Sequence, residues 1–154
     1  MYDEKTYYLV FSESSSYYLS RWFKHGYGHV HAIAHIKGDW VLIDPSLHSL
    51  NFSILGEASG LDLIKFYTLQ NPSQSIIHLI VRPNPDLAVY RLGPISCVSS
   101  IQYLLGIYWP LTLTPWALYS KLLTHTPQHI TIVRTIKNGI EDRRERSQEG
   151  CKSS

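Results

Sequence analysis

This chain has little charge, little cysteine and no long apolar run. Asp, Glu, Lys and Arg make up 17% of its 154 residues, against about a quarter in ordinary globular domains. The net charge is +2 with the histidines neutral. That is too weak a field to hold a polyanion, so nucleic acid is not an expected partner. The two cysteines, Cys97 and Cys151, cannot build a disulfide framework, and Cys151 sits in a polar C-terminal stretch. A reducing compartment is the simpler setting. The apolar stretches fall far short of the roughly 20 residues of a membrane helix, so no membrane span is expected. The opening Met-Tyr-Asp-Glu-Lys has no basic segment leading into an apolar run. No secretory signal is expected from it, and a cytoplasmic location follows.

What is present is apolar and aromatic: 44% of the chain is hydrophobic, enough for one core. We expect residues 1–136 to form a single α+β domain and residues 137–154, which lack apolar periodicity, to form a disordered polar tail. Residues 6–11 (Thr-Tyr-Tyr-Leu-Val-Phe) read as a strand, and residues 17–23 as one or two helical turns. His29–Ile36 and residues 40–44 read as a hairpin turning near Lys37-Gly38-Asp39, with Pro45 ending its second strand. A strand over 50–55, a helix over 61–69 after Gly60, and a strand over 75–81 follow. Residues 87–92 read as an edge strand. The Cys97 helix carries Val98, Ile101, Leu104 and Leu105 on its buried stripe and ends at Gly106. Thr114-Pro115 starts another helix with a threonine cap and proline in the first position. Residues 129–136 read as the last strand.

Two segments carry the chemistry. Gly28-His29-Val30-His31-Ala32-Ile33-Ala34-His35 leads into Trp40-Val41-Leu42-Ile43-Asp44-Pro45. Gly93-Pro94-Ile95-Ser96-Cys97-Val98-Ser99-Ser100 opens the helix. A histidine, an aspartate and a thiol are the three parts that a cysteine nucleophile needs. A free cysteine in an apolar helix is ordinarily a small core residue. Cys97 departs from that pattern because it sits in a helix's first turn, where the macrodipole favours an anion. Ser96, Ser99 and Ser100 surround it, and helix-start amides entered from Gly93-Pro94 suit an oxyanion.

His29 is the expected base and Asp44 its orienter. A turn centred on Lys37-Gly38 sets Asp44 opposite His31 and diagonal to His29, so His31 stays open as a rival base. His29, His31 and His35 share a strand face, which raises the alternative of a metal site. No H-x-x-x-H helix or C-x-x-C spacing accompanies them, so neither a metal nor a cofactor is expected. Trp109 and Trp116 read as core before groove. Arg143, Arg144 and Arg146 alternate with glutamates and read as a solvated tail.

The Gly28-His29-Val30 hairpin ending Ile43-Asp44-Pro45 resembles the core of the NlpC/P60 superfamily of papain-like cysteine hydrolases. There the cysteine helix normally precedes the hairpin. Here Cys97 follows it, as in the circularly permuted branch that includes lecithin:retinol acyltransferase-like proteins and bacterial and viral hydrolases. Leu104-Leu105-Gly106-Ile107 and Thr114-Pro115-Trp116-Ala117-Leu118-Tyr119 carry a further similarity to small phage and prophage proteins. The resemblance spans roughly residues 6 to 125. The Asn-Cys-Glu-like context of the acyltransferases has no counterpart around Cys97.

The resemblance implies a permuted papain-like α+β fold with the nucleophile-bearing helix packed on an antiparallel sheet. By it, Cys97 is the nucleophile, His29 the base and Asp44 the third polar residue. The expected function is a cysteine hydrolase, a peptidase or amidase or an acyl-transfer enzyme, acting on a peptide or other amide or acyl substrate. The alternative is a catalytically silent scaffold with a virion or host protein as its partner, which would place the chain with the virion.

Overall fold

The run Tyr7-Tyr8-Leu9-Val10-Phe11 is apolar at every position because its strand is covered on both faces. In a computed structural model describing residues 4–13, 23–46, 49–57, 59–70, 73–82, 96–137 and 140–142, strand β1 (Lys5–Ser12) lies at the centre of a seven-stranded sheet. All five of those side chains are buried. The other strands are β2 (His29–Ile36), β3 (Asp39–Pro45), β4 (Leu50–Gly56), β5 (Ser75–Val81), β6 (Ile130–Lys137) and β7 (Ile140–Asp142). Their spatial order is β4-β3-β2-β1-β5-β6-β7, and every neighbouring pair is antiparallel. The first four strands form a meander. β5 then returns to pair with β1, with Leu9 opposite Ile77.

The β2–β3 hairpin turns where expected. Lys37 has φ 53° and Gly38 φ 97°, the left-handed pair of a turn whose twist matches its strands. Ala32 pairs with Ile43 and Ala34 with Val41. The alternation of β2 divides its side chains between two layers. Val30, Ala32 and Ala34 join Leu9, Phe11, Leu79, Val98, Ile101, Leu105, Leu118 and Leu122 in the larger core. Ile33 joins Tyr8, Val10, Trp40, Ile64 and Ile76 in the smaller one. Helices α2 (Cys97–Leu104) and α3 (Pro115–Thr124) therefore cover one face, and α1 (Gly60–Gln70) covers the other. Thr114 caps α3 by accepting from the Ala117 amide, with Pro115 inside the start, as its sequence predicts. Gly106, at φ 65°, follows α2 in the left-handed conformation that ends helices.

Some expectations need correction or fall elsewhere. Gly60 lies inside α1 rather than before it. Residues 140–142, expected in a disordered tail, form β7 and pair with the end of β6. A three-residue edge strand is held by backbone hydrogen bonds and needs no apolar periodicity, so the sequence carried no sign of it. The proposed helical turns over 17–22, the strand over 87–92, Gly93-Pro94 and the arginines of the tail lie outside the described residues. Among the described residues, no helix is long and apolar enough to cross a membrane.

Candidate active site

His29 is the first residue of β2, and the chain leading to it is fixed on both sides. Gly26 takes φ 82° and donates its amide to Glu13 Oε1 at 2.5 Å. Tyr27 is buried with its ring against Trp116 and Tyr119, and its hydroxyl bonds Ser75 Oγ at 2.9 Å. The Gly28 amide donates to the Ser12 carbonyl at 2.8 Å. With these groups satisfied, the strand's mouth has little freedom to move.

Cys97 is the first residue of α2, partly buried against the larger core. The preceding Ser96 caps the helix. Its hydroxyl accepts from the Ser99 amide at 3.1 Å, while Ser99 Oγ accepts from the Ser96 amide at 2.8 Å. This reciprocal box fixes the first turn. The Ser100 amide donates to the Ser96 carbonyl. The amides of Cys97 and Val98 belong to the set that has no partner within a helix.

His29 ties the two layers together. Its Nε2 lies 2.7 Å from Asp44 Oδ1, the short distance of a charge-assisted bond. The Cys97 thiol is its second neighbour, near enough for side-chain hydrogen bonding to bear on the ring. That hydrogen bonding is the largest influence on its protonation. Burial opposes it, and the Asp44 hydrogen bond and the charges of both partners reinforce it, so the His29 pKa is pushed up from 6.5 to about 9. The ring thus favours the imidazolium beside a sulfur on one side and a carboxylate on the other.

His31 takes another role. The hairpin pairs in the register that the turn implied, and its last pair, Ala32–Ile43, leaves His31 and Asp44 as the next residues on either side. The carboxylate nonetheless bonds His29, and the His31 ring lies 5.9 Å from the Tyr67 ring of α1. Burial pushes its pKa down to about 4, against the pull of Asp44 and with a small push from His29. Its Nε2 is buried without a hydrogen-bond partner among the described residues. The Tyr67 hydroxyl is pushed up by burial and by Asp44. One ligand atom from each of His29, His31 and Asp44 falls within a cluster 4.8 Å across, whereas the metal alternative weighed from the sequence joined His29 and His31 to His35. His35 lies apart, exposed, with its ring tilted 4.8 Å from that of Trp40.

The structure therefore brings Cys97, His29 and Asp44 together. Trp109 and Trp116 pack against the larger core as expected. Tyr67 was missed, and no sequence signal links a mid-helix tyrosine to a hairpin histidine. The Ser96–Ser99 box was missed too, although its Ser-x-x-Ser spacing before an apolar run was visible. No protein-family model, curated protein or solved structure matches the chain.

Proposed function

We propose that the chain is a cysteine hydrolase of the peptidase or amidase type, or an acyl-transfer enzyme, on a permuted NlpC/P60-like fold. The observation that carries this reading is the single imidazole set beside Cys97 and bonded to Asp44. With Nε2 committed to the carboxylate, Nδ1 is the ring nitrogen left to exchange a proton with the thiol. The Cys97 thiolate attacks an acyl carbon, and the carbonyl electrons move onto oxygen. The first-turn amides of α2 stabilise that oxyanion. The tetrahedral adduct collapses and expels an amine, which takes its proton from the His29 imidazolium. Water then attacks the thioester while His29 accepts a proton, and the thiolate leaves. Asp44 keeps the ring oriented and stabilises its charge throughout.

The test uses the full chain carrying Cys151→Ser, with an acyl-electrophile probe. Labelling is expected at Cys97, absent in Cys97→Ala and at least tenfold slower in His29→Ala. Labelling of Cys97 no faster than that of Cys151 in the unmodified chain would remove the hydrolase reading and favour a silent scaffold bound to a virion or host protein.

A further inference from the structure

We propose that His29, His31 and Asp44 form a three-residue site for a divalent transition-metal ion of the zinc type, and that the ion silences Cys97 by taking its imidazole. The site stands on geometry alone, and only the silencing rests on the hydrolase reading above. Two imidazoles and one carboxylate make a donor set suited to zinc and its neighbours, whereas calcium and magnesium take oxygen ligands. The three ligand atoms lie within 4.8 Å of one another. Ligands about 2.1 Å from a tetrahedral ion sit roughly 3.4 Å apart, so modest side-chain rotations close the site. The backbone beneath is shared, because the β2–β3 ladder ends at Ala32–Ile43, with His31 and Asp44 the next residues on either side and His29 two residues along.

A second observation points the same way. His31 Nε2 is buried with no hydrogen-bond partner among the described residues, and leaving a buried polar atom unmet is costly. The thiol chemistry makes no use of that nitrogen. An ion bound between the rings would supply its partner. Coordination through Nε2 requires His29 to release that proton to solvent. The ring then holds at most one proton, on Nδ1, and can no longer form the imidazolium that pairs with the thiolate and protonates the leaving group.

The experiment titrates the full Cys151→Ser chain with zinc chloride by calorimetry. It also measures Cys97 labelling by iodoacetamide with and without zinc, each variant being judged by the ratio of its own two rates. One zinc per chain is expected, with labelling slowed tenfold or more at saturation. His31→Gln and Asp44→Asn should each weaken zinc binding at least tenfold and return the labelling ratio toward one. Two variants guard against one failing to fold, and thermal unfolding of each checks this. The Cys97→Ala chain should still bind zinc. Absence of zinc binding, or an affinity in both ligand variants unchanged from the parent chain, overturns the site. Loss of binding in Cys97→Ala makes the thiolate a ligand and overturns the three-residue assignment. Zinc that binds without slowing labelling overturns the silencing. Slow zinc-free labelling, with zinc binding intact, sinks the hydrolase reading and leaves the metal site standing.

Discussion

If the Cys97 and Asp44 contacts hold the His29 proton, removing either should release it at lower pH, and Cys97 should matter more. The rise from 6.5 to about 9 has the Cys97 hydrogen bond as its largest cause and the Asp44 hydrogen bond next among the favourable ones. At ~1.4 kcal/mol per pH unit, that rise is a preference for the imidazolium of about 3 kcal/mol. The His29 side chain is 29% exposed and Asp44 43%, so solvent screening leaves about 2 kcal/mol as a contribution to folding. Because the folded value lies above the unfolded one, this contribution is complete below pH 6.5 and is lost as pH rises through about 9. Histidine ring resonances followed by NMR in Cys151→Ser protein give the titration directly. The His29 midpoint should fall near 9 in that chain, lower in Asp44→Asn and lower still in Cys97→Ala. A midpoint near 6.5 in the parent, or one unmoved by Cys97→Ala, would refute the bridge between thiol and carboxylate.

Further perturbations test other parts of the molecule. The His78 ring lies tilted 4.4 Å from that of Tyr8, and burial, aided by Arg134, pushes its pKa down to about 4. Its fold therefore loses stability as pH falls from 6.5 toward 4. His78→Phe should reduce that loss by on the order of 1 kcal/mol in urea titrations at the two pH values, the partial exposure of the ring limiting the effect. A Cβ on Gly60 would meet the Tyr8 hydroxyl at 2.5 Å and the Trp40 ring at 2.9 Å. Tyr8 is itself held between the tilted rings of Trp40 and His78, so Gly60→Ala should destabilise by about 1–3 kcal/mol; an equal or higher melting temperature would contradict that packing. Ser96→Ala removes the helix cap beside Cys97 and should cost about 1 kcal/mol, seen as a lower denaturation midpoint with an unchanged slope.

Local chemistry alone decided much of this molecule. The β2–β3 hairpin follows from period-two alternation and the Lys37-Gly38 turn, and α3 from Thr114-Pro115. Both signals act within a few residues, so they survive without tertiary context. Cys97, His29 and Asp44 could be singled out by residue type and position in their elements. The sequence favoured His29 as the base but left His31 open, because both lie on one strand face. What sets Cys97 beside His29 is long-range packing. Helix α2 lies over Val30 and Ala32 on one face of the sheet, which brings Cys97 to the mouth of β2, where His29 stands. Helix α1 covers the opposite face and sets Tyr67 against His31. The pairing of β5 with β1 joins residues about 70 positions apart, beyond the reach of any turn signal. β7 is held by backbone pairing with no side-chain pattern to announce it. Only the folded chain could place the sulfur, one imidazole and the carboxylate in a row, since their contacts depend on how two helical layers close on the sheet.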